Sequence, residues 1–199
     1  MTPADIRLNR KLRGTCIQCL EGKYRRKAMP PSDTPPATSV GMCIVIDTQS
    51  LSVKSAGGNL HYIDSIDEFS GDVQVTPAKS LKSVDIFASL MFLVHTRYNA
   101  YGHRVTHFVS DSLPALEAVV PMLGMMGISH TLCPPDQFAQ RVEASVGVSA
   151  SYRRANEASI PFWVPGQYEL YSRVFVAQCR NMYPNSRSSP SAADILVTG

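Results

Sequence analysis

The 199-residue sequence lacks long hydrophobic runs, and its first residues are charged where a secretory signal would be apolar. A membrane-spanning helix needs about 20 consecutive apolar residues, and a signal peptide needs a shorter apolar stretch near its start. Internal repeats and low-complexity tracts are also missing. We therefore expect an intracellular protein with no membrane partner. Because 44% of the residues are hydrophobic, we also expect a packed domain rather than a disordered chain.

Cysteine is scarce, and the count of five is odd, which argues against a disulfide framework. Cys16 and Cys19 form a CxxC pair, which is half of the ligand set of a typical structural zinc site. The other half is missing, because the first histidine of the chain is His61. The pair is therefore interpreted as two free thiols, and Zn²⁺ binding is an alternative that needs histidines from elsewhere.

Negative charge is scarce in residues 1–29, where only Asp5 and Glu21 are acidic. Eight basic residues crowd this segment: Arg7, Arg10, Lys11, Arg13, Lys23, Arg25, Arg26 and Lys27. Such a segment suits contacts with nucleic-acid phosphates, and a solvated tail is the alternative. Residues 30–41 hold four prolines and are predicted to form a linker. The globular domain is therefore expected over residues 42–199.

Hydrophobic periodicity predicts an α/β domain. Strands are predicted at 42–48, 59–70, 72–79, 104–111 and 128–134, and helices at 80–98, 113–126, 137–158 and 164–183. Strands joined by short turns should be antiparallel, whereas strands reached through a helix should be parallel. The prediction is a five-stranded mixed sheet flanked by helices.

Acidic residues end two of the predicted strands, at Asp47 and Asp111. A buried charge is costly unless it is paired or bound to metal. If the first and fourth strands are neighbours, the two carboxylates converge, and Glu143 in the following helical stretch is expected to project onto the same spot. Mg²⁺ or Mn²⁺ would relieve the repulsion among three carboxylates, and two such ions can catalyse phosphoryl transfer. Taken singly, each aspartate is more often a turn residue.

Further motifs accompany these acids in a characteristic order. They are Gly57-Gly58, Tyr62, Asp67-Glu68-Phe69-Ser70, Lys79-Ser80, Gly127-Ile128-Ser129-His130, Arg141-Val142-Glu143 and Phe162-Trp163. From about Cys16 to Gly199 the sequence resembles the integrases of copia-type long-terminal-repeat retrotransposons, which are related to retroviral integrases. Cys16 and Cys19 resemble the end of that family's N-terminal zinc module, whose histidine half would lie upstream of Met1.

The resemblance implies an RNase H-like fold and DNA integration, in which metal-dependent phosphodiester cleavage is followed by strand transfer. Asp47, Asp111 and Glu143 take the places of the family's three catalytic acids and would hold two Mg²⁺ or Mn²⁺ ions. DNA is the expected partner, together with further copies of the chain, and nuclear localisation is expected when the enzyme acts on host DNA. The residues expected to contact DNA phosphates are Lys23, Arg25, Arg26, Lys27, Arg141, Arg153 and Arg154.

The departures from the family pattern lie around the expected active site. Ser112-Leu113-Pro114-Ala115 follows Asp111 where the family has Asn-Gly-Gly-x-Glu-Phe, and the 31 residues between Asp111 and Glu143 are fewer than usual. The alternative is therefore a catalytically decayed or repurposed integrase core that acts as a DNA-binding or protein-interaction module. An RNase H or resolvase-type nuclease would share the acids, but it would not account for the CxxC segment.

Overall fold

The computed structural model describes most of the predicted globular domain. The described residues are 36–133, 147, 164–183 and 190–198. The chain divides into two units, Met1–Pro35 and Pro36–Gly199, and the described residues all belong to the second unit. Several predicted functional residues lie outside the described residues: Cys16, Cys19, Lys23, Arg25, Arg26, Lys27, Arg141, Glu143, Arg153 and Arg154.

The described chain follows the predicted order of strands and helices. Its elements are β1 Ile44–Ser50, β2 His61–Asp67, β3 Val73–Ala78, α1 Ser83–Leu93, β4 His107–Asp111, α2 Pro114–Glu117, α3 Val120–Met125, β5 Ser129–Cys133, α4 Glu169–Met182 and α5 Ala192–Thr198. A π-helical turn, Val94–Tyr98, continues α1, and a 3-10 turn, Gly166–Tyr168, precedes α4.

The five strands form one mixed sheet in the order β3-β2-β1-β4-β5. The β1–β2 and β2–β3 pairs are antiparallel, and the β1–β4 and β4–β5 pairs are parallel. Short turns join the antiparallel strands, whereas helices make the crossovers to the parallel ones. The predicted five-stranded mixed sheet is confirmed, and so is the predicted contact between the first and fourth strands.

One face of the sheet carries the main hydrophobic core. Ile44, Ile46, Ile63 and Phe108 are fully buried there, and they pack with residues of α1, α2, α3 and α5. Burying each such side chain contributes about 1.5–3 kcal/mol. Because side chains alternate along a strand, Asp47, which follows Ile46 in β1, projects from the opposite face of the sheet.

The opposite face packs against α4 at the β3 edge of the sheet. Leu170 and Ala177 of α4 cluster with Tyr62 and Val75. Asn181 completes the attachment, since its Oδ1 accepts from the Val73 N–H at 2.9 Å and its Nδ2 donates to the Val73 carbonyl at 2.8 Å. This amide satisfies backbone groups of an edge strand and holds α4 beside β2 and β3.

The predicted helix over residues 113–126 is two short helices, so that boundary prediction was wrong. α2 ends at Glu117 and α3 begins at Val120. Pro121 lies in the first turn of α3. Proline has no backbone N–H and disfavours helical geometry in the residue before it, so a helix begins at this position more readily than it continues through it.

The folded domain begins before residue 42, within the stretch that was predicted to be a linker. Val40 is buried, and the Gly41 N–H donates to Asp67 Oδ2 at 2.8 Å. Gly41 has a φ of +78°, and a Cβ there would lie 2.8 Å from the Arg104 carbonyl oxygen. Glycine is therefore required by both the backbone conformation and the close approach of the Arg104 backbone.

Candidate active site

Asp47 and Asp111 lie on neighbouring parallel strands. The register of β1 and β4 pairs Ile44 with Phe108 and Val45 with Val109. The same register, continued by two residues on each strand, places Asp47 beside Asp111 on the face that carries Val45, and adjacent strands are about 4.8 Å apart. Both aspartates are partly exposed. The fold therefore brings together the two acids that were predicted to converge.

The Asp47 carboxylate is oriented by its own strand. Gln49 projects from the same face of β1, and its Nε2 donates to Asp47 Oδ2 at 2.6 Å. A hydrogen bond of this kind restricts the side-chain rotamers of the carboxylate. The Asp47 side chain is therefore held in a defined orientation on this face of the sheet.

The Asp111 carboxyl group has an oxygen that no described hydrogen bond satisfies. Its Oδ1 is buried and has no hydrogen-bond partner among the described residues. Burial raises the pKa of Asp111, and a backbone hydrogen bond opposes that rise. Buried carboxylate oxygens normally have partners, and a divalent cation is one partner that would satisfy this oxygen.

Asp64 is a third acid at this site, and it was not predicted from the sequence. It is paired directly with Asp47 across the antiparallel strands β1 and β2. The side chain is 7% exposed, and its Oδ2 has no hydrogen-bond partner among the described residues. The pKa of Asp64 is raised to about 7, mainly because the group is buried; Asp47 contributes to the rise, and Arg173 and Arg180 oppose it. The signal in the sequence was the alternation of Tyr62, Asp64 and Ile66, which places an acid between two large apolar residues on one face.

Arg173 of α4 bounds the site on the β2 side. Its guanidinium lies over the Tyr62 ring, 4.8 Å from the centroid, and pairs with Glu169 at 2.7 Å. Both contacts hold the planar cation in place. The positive charge of Arg173 partly compensates the negative charge of the buried Asp64, but the guanidinium also pairs with Glu169 and contacts the Tyr62 ring.

Behind Asp111, a polar pair joins β4 to β5 on the opposite face of the sheet. Ser110 Oγ and His130 Nε2 are 2.8 Å apart, and the Ser110 hydroxyl is also 2.9 Å from the Asp111 carbonyl oxygen. If the hydroxyl donates to that carbonyl, the imidazole donates its Nε2–H to Ser110. The pKa of His130 is lowered to about 4, mainly by burial and also by the nearby His107. The pair links the backbone at Asp111 to a neutral histidine.

Two other buried acids, Asp67 at the end of β2 and Asp72 just before β3, are structural. Asp67 accepts hydrogen bonds from the Gly41 N–H, the Ser70 N–H and the Ser70 hydroxyl, at 2.7–2.8 Å. Asp72 is paired with Arg97, which donates to its two oxygens at 2.5 and 3.0 Å. Because these carboxylates are satisfied by protein groups, they are not expected to bind a metal.

Carboxylate oxygens are the ligands that Mg²⁺ and Mn²⁺ prefer. The unpartnered oxygens of Asp64 and Asp111, on either side of Asp47, are of the type that such cations bind. In the described ranges, no group of three His, Cys, Asp or Glu residues is placed to hold a single ion. Glu143, the third predicted ligand, is outside those ranges. The same part of the chain contains no helix long and apolar enough to cross a membrane.

The arrangement of strands and helices is similar to that of solved retroviral integrase structures. A chain of the simian T-cell lymphotropic virus intasome, solved with PP2A regulatory subunit B56 gamma, matches with a TM-score of 0.66 and 16% identity over 95% of this chain and 69% of that chain. The HTLV-2 integrase catalytic core domain, solved with magnesium in a trimeric form, matches with a TM-score of 0.57 and 15% identity over 79% of this chain and 97% of that chain. The fold is that of a retroviral integrase catalytic core.

The BIV integrase catalytic core domain is a further match, with a TM-score of 0.56 and 11% identity over 79% of this chain and 94% of that chain. No protein-family model and no curated protein matches the sequence. The predicted RNase H-like fold is confirmed by these structures, whereas the copia-type lineage and the roles of the three predicted acids stay predictions.

Proposed function

We propose that this protein is an integrase core that cleaves DNA phosphodiester bonds with the help of divalent metal ions and transfers element DNA ends into target DNA. The observation that carries the proposal is the placement of Asp47 beside Asp111 on the parallel strands β1 and β4. Because a fold alone does not establish a function, the proposal rests on the two acids. Their position on adjacent strands of an integrase-core fold favours DNA strand transfer.

In this proposal Asp47, Asp111 and Glu143 hold two Mg²⁺ or Mn²⁺ ions. When bound, such ions activate an attacking oxygen and stabilise the charge on the leaving oxygen of a phosphodiester. The contribution of the protein is to place the carboxylates before the ions arrive. Gln49 orients Asp47 through the 2.6 Å hydrogen bond, and β4 brings the unpartnered oxygen of Asp111 to the same face of the sheet.

DNA is the proposed partner, and its phosphates are the groups that basic residues would contact. The proposed contacts are Lys23, Arg25, Arg26, Lys27, Arg141, Arg153 and Arg154. Such contacts set the register and orientation of DNA without reading its sequence. Self-association is also proposed, because HTLV-2 integrase cores were solved in dimeric and trimeric forms. Action on host DNA would require nuclear localisation.

The test is a strand-transfer assay with the full chain, a labelled blunt DNA duplex, a supercoiled plasmid and Mn²⁺. We expect the labelled strand to become joined to the plasmid, and the product to be absent with EDTA or with Asp111→Asn. Asp85→Asn serves as the matched control, because Asp85 lies on α1, which packs on the other face of the sheet. A folded wild-type protein that produces neither nicks nor joined DNA would contradict the proposal.

One observation favours a second candidate, a core that has lost its chemistry. After Asp111 the chain is held in place, because Ser112 Oγ donates to the Cys133 carbonyl at 3.1 Å and α2 begins at Pro114. A segment fastened in this way offers less freedom than a glycine-rich one for adjustment around a DNA end. Salt-dependent DNA binding without any Mn²⁺-dependent cleavage would establish this repurposed core in place of the enzyme.

A further inference from the structure

We propose that Asp64 is a metal ligand of this site, and that it shares an ion with Asp47 on the side of Asp47 away from Asp111. The inference rests on the metal-dependent function proposed above. It assigns a site role to a residue of β2, whereas the predicted acids lie on β1, on β4 and after β5.

The geometry places the three aspartates in a row. Asp47 is paired with Asp64 on β2, and the β1–β4 register places Asp111 on its other side. Directly opposite residues in antiparallel strands project from the same face, with Cβ atoms about 4.5–5.5 Å apart. Asp47 therefore occupies the middle of the row, where one carboxylate can contribute to two ions, with a different aspartate completing each.

The burial of Asp64 is an independent observation that points to a cation. The side chain is 7% exposed, and its Oδ2 has no hydrogen-bond partner among the described residues. An ionised carboxylate in such a place is costly unless a positive charge is nearby. Arg173 and Arg180 supply part of that charge, but the Arg173 guanidinium is paired with Glu169 and lies over Tyr62.

A bound divalent cation would supply the missing partner of Asp64. Asp47 and Asp64 occupy directly opposed positions on one face of the sheet, where like charges repel, and a divalent cation between them would attract both carboxylates. Among the described residues no three donors are placed to hold one ion. The proposed arrangement requires only two carboxylates for each ion, with water completing the coordination, as is usual for Mg²⁺.

The experiment measures Mn²⁺ binding directly, independently of catalysis. The full chain is titrated with Mn²⁺ at pH 7.5 or above, and free Mn²⁺ is followed by its electron paramagnetic resonance signal. The variants are Asp64→Asn, Asp47→Asn and Asp111→Asn, with Asp85→Asn as the control of identical chemistry on the other face of the sheet. Melting temperatures in EDTA verify that each variant is folded.

We expect Asp64→Asn to weaken the binding of one Mn²⁺ by at least about tenfold. Loss of a residue that only hydrogen-bonds a metal ligand already weakens metal binding by about 10–100-fold, so loss of a direct ligand should cost at least the lower value. Asp47→Asn should weaken the binding of both ions, and Asp85→Asn should change the binding of neither. Unchanged binding in a folded Asp64→Asn protein, with Asp47→Asn impaired, would overturn this inference and leave the proposed function standing. A wild-type protein that binds no Mn²⁺ would overturn both.

Discussion

Asp47 and Asp64 are paired directly across strands β1 and β2, so two acids occupy opposed positions on one face of the sheet. Cross-strand pairs of like charge destabilise a sheet. Here one of the two is also buried, which raises the pKa of Asp64 to about 7. The fold therefore carries an electrostatic cost at the position where the proposed metal ions would remove it.

The first prediction concerns that cost. In EDTA at pH 8, Asp64→Asn should raise the free energy of unfolding by roughly 1–2 kcal/mol. Keeping Asp64 ionised costs up to about 4 kcal/mol, at 1.36 kcal/mol for each pKa unit. Removing the charge recovers this free energy, but burying the uncharged amide of asparagine without a hydrogen-bond partner offsets part of it. Urea unfolding of the wild type and the variant measures the difference. A variant that is less stable than the wild type in EDTA would show that Asp64 is a structural ion-pair partner of Arg173.

The second prediction concerns catalysis. Asp47→Asn and Asp111→Asn should reduce Mn²⁺-dependent cleavage and joining by at least about 100-fold, because each removes a negative charge that the metal site needs. Glu143→Gln should behave in the same way. Melting temperatures should hold or rise, since repulsion among the acids is relieved. Loss of activity that follows loss of folded protein would argue for a structural role instead.

The third prediction is that Asp67 stabilises the fold and does not take part in catalysis. Asp67→Asn should lower the free energy of unfolding by about 1.5–3 kcal/mol, because the carboxylate accepts three hydrogen bonds that fasten Gly41 and Ser70. Activity for each folded molecule should stay at the wild-type level. Chemical denaturation and a strand-transfer assay below the melting temperature test both statements. Glu68→Gln is the control, since Glu68 is the less buried neighbour.

The fourth prediction concerns the pair formed by Asp72 and Arg97. The Asp72 side chain is fully buried, and that of Arg97 is 22% exposed. Arg97→Met should cost about 3–5 kcal/mol, because it leaves a buried carboxylate without its partner. Adding Asp72→Asn should recover a large part of that loss. If the two single losses simply add in the double variant, the pair does not stabilise the fold as a unit.

The fifth prediction concerns pH. The pKa of His130 is lowered to about 4 from the ordinary 6.5, so between these values the unfolded chain binds the proton that the folded one excludes. The stability contribution is complete above pH 6.5 and is lost as the pH falls toward 4. His130→Gln should therefore flatten the decline between pH 6.5 and 4.5 by about 1–2 kcal/mol, after allowance for partial exposure. His95→Gln, at an exposed position, should leave the decline unchanged, and an equal slope in both variants would contradict the role given to His130.

Local sequence patterns were sufficient to predict the class of the sheet and the order of the strands and helices in the described part of the chain, whereas the helix predicted over residues 137–158 lies outside it. Apolar runs such as the one before Asp47 specify strands through local periodicity, and the helix between β3 and β4 requires a parallel crossover. The chain order was enough to predict that Asp47 and Asp111 meet, although β1 continues to Ser50, so Asp47 lies within the strand and not at its predicted end. These features depend on short-range patterns and on general rules of chain connection.

The position of Asp64 in the site and the start of the folded domain depend on tertiary structure. Whether Asp64 opposes Asp47 depends on the register of two strands, and a shift by one residue would have moved it to the other face. Val40 is buried in the main core, and the adjacent Gly41 N–H donates to Asp67, which is 26 residues away in the chain. Register and long-range hydrogen bonds arise when the whole core packs, so no local pattern of residues contains them.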